Sequence, residues 1–271
     1  MVDQQAVRSE QGEKEKTGLT EKARAIARAF FIHTMLWLFD LDNTLHDASH
    51  AIFPAITANM NAFLAKTLGS EHGPADNETV NAVRMKYWQR YGATLLGMMR
   101  HHDVRMEDFL REAHQFDDLA AMIRAERGVH RFLQRLPGRK ILLTNAPRRY
   151  SREVIRHLGL HRHFAKHVAI ESMHVHRSLR PKPSRHLLKK LLAREKVAPR
   201  RVILVEDTAK TLKAAKSLGM RTVLVTQYLS AQAAKQLVTL VHHERRNRPS
   251  YVDVKVQSIR QIPEHLCRLR D

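Results

Sequence analysis

Asp40 and Asp42 stand two residues apart in the segment Asp40-Leu41-Asp42-Asn43-Thr44, directly behind the apolar run 35–39. A single carboxylate there would serve as a cap for the following turn. Two carboxylates and a hydroxyl in one tight segment suit more: one carboxylate to attack an electrophile or bind metal, the other to move a proton. A second pair, Glu206-Asp207, follows the apolar run 202–205. Adjacent carboxylates repel, so placing both at a buried strand end is costly unless a cation neutralises them. Oxygen ligands of this kind suit Mg²⁺, a hard ion that keeps several waters and favours phosphate. Thr144-Asn145, after the run 140–143, offers a hydroxyl and backbone N–H groups to a phosphate oxygen. Lys182, held between Pro181 and Pro183, offers a cation to the same charge. Taken singly, Thr144 and Asp207 also read as helix caps and Lys182 as a solvated surface residue. Their common place behind core segments, in the order a phosphoryl-transfer site needs, argues for one site.

The elements that must position these residues alternate. The runs 35–39, 140–143, 202–205 and 222–225, with a weaker one at 168–170, read as strands buried on both faces. Helical patterns at 150–158, 184–193 and 211–218 separate them, with Gly159 and Gly219 where helix C-caps belong. The pattern is that of an α/β fold, a Rossmann-like parallel sheet with crossover helices, whose ligands sit outside the carboxyl ends of the strands. Residues 251–256 alternate as an edge strand would and lead into a short helix. The stretch 48–131 breaks the rhythm. It is rich in Ala, Met, Leu and Arg and places Ile52, Ile56, Met60, Phe63, Leu64, Val80, Val83 and Tyr87 at helical intervals. A helical insertion directly after the first strand reads as a cap over the active edge of the sheet. The expected organisation is a basic extension at 1–34, a catalytic core at 35–47 plus 132–271, and a helical cap at 48–131.

The ordered set Phe39-Asp40-Leu41-Asp42-Asn43-Thr44-Leu45, Leu143-Thr144-Asn145, Lys182-Pro183 and Glu206-Asp207 resembles the haloacid-dehalogenase-like superfamily of phosphohydrolases. The resemblance runs from about Met35 to Leu269. It implies a Rossmann-like core with a C1-type helical cap inserted after the first strand. Asp40 would be the nucleophile, and Asp42, as a carboxyl of raised pKa, would protonate the leaving alcohol and then activate water. The side chains of Asp40 and Asp207 and the backbone carbonyl of Asp42 would hold Mg²⁺, with Glu206 in support. Thr144, the Asn145 N–H and Lys182 would stabilise the transferring phosphoryl oxygens. Asp42 separates reaction types, because halide leaves without a proton whereas an alcohol needs one. Many relatives carry Asp or Asn where this chain has Thr211, four residues after Asp207, a departure that bears on the metal shell.

Within the superfamily, Tyr87-Trp88, Tyr91-Gly92-Ala93-Thr94-Leu95 and Arg180-Pro181-Lys182-Pro183-Ser184 are most similar to the pyrimidine 5′-nucleotidase branch. That resemblance implies a pyrimidine nucleoside 5′-monophosphate as substrate, with Arg84, Tyr87, Trp88, Tyr91 and Arg100 as candidate contacts to base or ribose. A phosphatase for another small metabolite, such as a sugar phosphate, is the alternative within the same chemistry.

Composition bounds these readings. The 271 residues are 43% hydrophobic, enough for a full core, and no apolar run approaches the roughly 18 residues of a membrane span. Cys267 is the only cysteine, which excludes an intramolecular disulfide and a cysteine zinc cage and makes the cytoplasm the expected compartment. The 47 Lys and Arg against 27 Asp and Glu give a net charge of +20, which attracts anions in general. The charge is spread along the chain and only 6% of residues are aromatic, so weak non-specific polyanion binding is expected rather than specific nucleic-acid recognition. A basic polyanion-binding protein on the same fold is the reading from a different class, but such a module needs no nucleophile. Residues 2–17 read as a polar tail, and 20–31 as a short basic amphipathic helix or an extension upstream of a start at Met35.

Overall fold

The computed structural model describes residues 35–229 and 249–269, so the N-terminal extension and its expected helix lie outside the described residues. The strands are β1 (Leu36–Phe39), β2 (Arg139–Leu143), β3 (Lys166–Val168), β4 (His174–Val175), β5 (Ser178–Leu179), β6 (Val202–Glu206), β7 (Arg221–Val225) and β8 (Val254–Val256). β4 and β5 pair with each other, and the other six form a parallel central sheet in the order β3-β2-β1-β6-β7-β8. Side chains alternate across the strands as a pleated backbone requires. Trp37, Phe39, Leu142, Ile203, Val205 and Val223 enter one apolar layer; Leu36, Leu38, Ile141, Val202, Leu204 and Leu224 enter the other. Both faces are covered, which is why these strands read as continuous apolar runs.

Successive strands build outward from β1 in one direction to β3, and the chain then returns to the other side of β1 at β6. The crevice of this sheet therefore opens between β1 and β6, where the order reverses. Phe39 is level with both Leu142 and Val205, so Asp40 comes level with Glu206, and Thr144 stands one residue further along at the same edge. Asp40 is pinned there by its N–H, which donates to the Val205 carbonyl at 3.0 Å.

Six helices fill the stretch between β1 and β2: α1 (Ile52–Leu68), α2 (Asn77–Tyr91), α3 (Thr94–His101), α4 (Met106–Ala113), α5 (Leu119–Met122) and α6 (Val129–Arg135). Most of this stretch carries an apolar core of its own, in which Leu64, Val80, Tyr87, Leu95, Met98, Phe109 and Leu110 are buried. Ile56, Met60, Phe63 and Val83 pack against that cluster, whereas Ile52 joins the sheet layer containing Phe39. Gly97 lets α2 and α3 touch, since a Cβ there would lie 2.1 Å from Tyr87 Cγ. α6 spans the 131/132 boundary, and its Val129, Phe132 and Leu133 pack on the sheet.

After β2, α7 (Arg148–His157) covers the Phe39 face, while α8 (Arg185–Glu195) and α9 (Ala209–Lys216) cover the other. Gly159 and Gly219 end α7 and α9 with φ of 68° and 83°, the left-handed turn that glycine adopts without a Cβ clash. Leu160 N–H reaches the Ile155 carbonyl and Met220 N–H that of Ala215, closing both helices in Schellman fashion. Ser184 caps α8 through the Leu187 N–H. Two local expectations shift. The strand expected at 168–170 is Lys166–Val168, and Ile170–Ser172 is a 3-10 turn. Residues 249–252 are irregular before β8, whose parallel pairing with β7 at the sheet edge matches the alternating pattern.

Candidate active site

The turn after β1 has to release two carboxylates quickly, and Asn43 allows it. Its φ of 58° lies in the left-handed region, which Asn tolerates better than most residues. Its side chain then holds the next loop: Nδ2 donates to Ser49 Oγ at 2.9 Å and Oδ1 accepts the Ser49 N–H at 3.1 Å. Asp40, Asn43, Thr44 and His46 are all buried.

Three distant segments converge on Asp40. Lys182 Nζ lies 2.6 Å from Asp40 Oδ1 and 2.8 Å from Glu206 Oε2, joining β1, β6 and the segment before α8. Asn145, at the end of β2, holds this lysine by its backbone: Nδ2 donates to the Lys182 carbonyl at 3.0 Å, and Oδ1 accepts the Lys182 N–H at 2.9 Å. Thr144 is buried, and its hydroxyl oxygen accepts the Ala146 N–H at 3.1 Å, which leaves its own O–H to donate elsewhere. Carboxylate oxygens of Asp40, Glu206 and Asp207 lie within 4.8 Å of one another. Thr208 N–H donates to Glu206 Oε1 and its hydroxyl to Asp207 Oδ1. Thr211 is buried in the first turn of α9.

Asp42 faces a different neighbourhood. Its Oδ1 accepts the Tyr150 hydroxyl at 2.6 Å and is 2.8 Å from His46 Nε2. His46, Tyr150 and nearby His114 carry no sequence signal of function. His46 is a lone histidine beside the first motif, and Tyr150 is 108 positions from the carboxylate that it touches.

Charge follows burial and pairing. Burial pushes the Asp40 carboxyl well above the ordinary range, Glu206 adds to this, and Lys182 opposes it. Glu206 is likewise raised by burial against the pull of Lys182. For Lys182, burial is outweighed by Asp40 and Glu206, so the ammonium is held charged. Asp42 departs from the raised pKa expected of it. Burial raises it, but the hydrogen bonds and charge supplied by His46, Tyr150 and His114 outweigh burial and lower it.

The five candidate substrate contacts of the insertion divide. Arg84 donates to Asn61 Oδ1 at 2.8 Å. Tyr87 bonds His102 and stacks on His101; Tyr91 bonds His101, and the guanidinium groups of Arg90 and Arg100 lie 5.6 and 5.9 Å from its ring centroid. Those four residues are engaged with the insertion's own side chains. Trp88 differs: it is 51% exposed, and Lys210 Nζ of α9 lies 5.0 Å from its ring centroid, a cation–π contact from the insertion to the helix behind Asp207. A surface cleft of about 700 Å³ is lined by Arg148, Arg149, Arg152 and Arg156 of α7, which begins three residues after Asn145.

Residues 37–225 match the sequence profile described as haloacid dehalogenase-like hydrolase. The chain belongs to this family. The phosphorylated carbohydrates phosphatase of Thermotoga maritima is 24% identical to this hydrolase over 188 residues, 68% of this chain and 81% of that one. Among solved structures, the HAD phosphatase from Thermococcus onnurineus gives a TM-score of 0.57 at 16% identity, covering 88% of this hydrolase and 100% of its own chain. A haloacid dehalogenase-like protein from Agrobacterium tumefaciens gives 0.54 at 18% identity, covering 88% and 100%. Both are likenesses of fold. Among the described residues no helix is long and apolar enough to cross a membrane.

The donor set of this hydrolase fits a divalent cation. Asp40, Glu206 and Asp207 against the one ammonium of Lys182 leave two negative charges, and all the donors are hard oxygens. The strain of the bare cluster is legible at Asp207, whose pKa is raised from 3.8 to about 6 by burial and by Asp40. An acid raised in the folded state costs nothing while protonated, so its contribution is most favourable below about pH 3.8 and is lost as pH rises through 6. Asp207→Asn therefore stabilises the metal-free hydrolase at pH 7, by up to about 3 kcal/mol, and the gain shrinks towards pH 4. Urea unfolding in EDTA at both pH values measures it; a gain that is absent or independent of pH would contradict this account.

Proposed function

We propose that this hydrolase is a Mg²⁺-dependent phosphomonoesterase acting through an aspartyl-phosphate, with pyrimidine nucleoside 5′-monophosphates as its preferred substrates. The observation that carries the reaction class is Lys182 bridging Asp40 and Glu206 beside Asp207: a nucleophile, a fixed cation and a cation-binding carboxylate set at one sheet edge. An Asp40 carboxylate oxygen attacks phosphorus, forming one P–O bond as the bond to the leaving alcohol breaks. Asp42 gives its proton to the departing oxygen, then takes one from the water that cleaves the aspartyl-phosphate. A substrate phosphate beside Asp42 raises the pKa that His46 and Tyr150 hold down in its absence, which favours the protonated form when it is needed. Lys182, the Thr144 hydroxyl and the Asn145 N–H stabilise the transferring oxygens. Asp40, Asp207 and the Asp42 carbonyl, with Glu206 in support, would hold Mg²⁺, which when bound would neutralise phosphate charge and favour in-line attack.

The insertion acts as a cap that selects the leaving group, since the core meets only the phosphoryl end. The exposed ring of Trp88 at Lys210 supports a planar base as the group selected. A second reading, a sugar phosphate as substrate, is supported by the similarity to a phosphorylated carbohydrates phosphatase. Phosphate release from UMP, CMP and a set of sugar phosphates, with Mg²⁺ and with EDTA, tests both. The expected result is metal-dependent release with UMP and CMP foremost. A preference for sugar phosphates would replace the substrate and keep the chemistry. No release from folded, metal-loaded protein would overturn the reaction class.

A further inference from the structure

We propose that Tyr150 is the positioning residue that fixes Asp42 for proton delivery to the leaving group, and that it is braced by the segment returning from the insertion. The inference rests on the proposed phosphomonoesterase reading. Asp42 is not part of the Asp40, Glu206 and Asp207 carboxylate cluster, because its side chain is tied elsewhere. The Tyr150 hydroxyl donates to Asp42 Oδ1 at 2.6 Å, and His46 Nε2 approaches the same oxygen at 2.8 Å. The third polar approach closes the triangle, with Tyr150 Oη 3.5 Å from His46 Nε2. Two partners on one oxygen leave Oδ2 as the atom that carries the mobile proton. They also remove the rotation by which a short carboxylate would lose its aim.

Both partners are buried. Tyr150 is 2% exposed and His46 is fully buried. The Tyr150 ring lies 5.4 Å from the His114 ring and 5.8 Å from that of Phe116, centroid to centroid. Those two residues directly follow α4, so Tyr150 touches the insertion with its ring and the reacting carboxylate with its hydroxyl. A displacement of the insertion at this point is transmitted to Asp42 through one side chain.

Leaving groups separate this role from general support of the fold. UMP and glucose 6-phosphate release primary alcohols, which need a proton, whereas p-nitrophenyl phosphate releases a phenolate that does not. The parameter to compare is kcat/KM of the Mg²⁺-loaded enzyme, which for this scheme reports phosphoryl transfer to Asp40 and excludes the later hydrolysis. Tyr150→Phe keeps the ring and its packing and removes only the hydroxyl. It is expected to lower kcat/KM by about 30-fold for the alcohol esters and by less than about 3-fold for p-nitrophenyl phosphate, a smaller loss than the roughly 10²–10⁴-fold that a general acid itself contributes. The retained p-nitrophenyl activity is also the check that the variant is folded. Equal losses on both kinds of ester, or no loss on either, would overturn the proposal. Wild-type protein without activity on any of these esters would instead reject the phosphomonoesterase reading beneath it.

Discussion

Asp40→Asn is expected to lower turnover by about 10⁴-fold or more while leaving the fold intact. The amide oxygen is too weak a nucleophile to form the covalent intermediate. Asp42 is tied away from it by Tyr150 and His46. Stability should change little. Asp40 is a buried carboxyl whose charged form is opposed by burial and by Glu206, so removing its charge relieves repulsion. Lys182 keeps Glu206 at 2.8 Å, and the amide oxygen can still accept from its ammonium. Phosphate release and a thermal melt measure the two halves of the expectation. Intact mass must accompany them, because deamidation of the new asparagine restores the nucleophile. Activity above about one per cent of wild type in protein of the correct mass would place the nucleophile elsewhere.

Lys182→Met should damage stability and rate together, and by more than its size would suggest. Methionine fills similar space but leaves Asp40 and Glu206 buried with no counter-charge. Removing one partner of a buried ionic cluster typically costs about 3–5 kcal/mol. The loss of a fixed cation at the transferring phosphoryl group costs about a further 10²–10³-fold in kcat. The stability deficit has a direction in pH. Both carboxyls are already raised by burial, and without the lysine they rise further, so protonation at acid pH relieves them and the deficit shrinks as pH falls. Urea unfolding in EDTA at neutral and acid pH measures this. A neutral-pH difference under about 1 kcal/mol would mean that water, not Lys182, compensates the pair.

Asp40, Asp42, Thr144, Asn145, Lys182, Glu206 and Asp207 could all be read from the chain because each chemistry-bearing residue follows a recognisable apolar run or a proline-bounded turn. Burial on both faces writes a strand as a continuous apolar stretch, and a polar residue ending it stands out. The sheet, the crossover helices and the helical insertion were legible for the same reason. The hairpin of β4 (His174–Val175) and β5 (Ser178–Leu179) was not. Its two turn residues, His176 and Arg177, adopt φ of 49° and 63° without the Asn or Gly that normally signals such a turn.

Within the site, sequence determined the inventory of groups and their order, since these depend on local pattern. Tertiary structure decided the assignments. It tied Lys182 to both Asp40 and Glu206, and it made Asn145 a clamp on the Lys182 backbone. Against burial, it set the pKa of Asp42 low rather than high through His46, four positions on, and then Tyr150, 108 positions away. It engaged Arg84, Tyr87, Tyr91 and Arg100 within the insertion and left Trp88 reaching across to Lys210. Pattern along a chain encodes which face a side chain takes; the partner waiting on that face belongs to another element, and only packing brings it there.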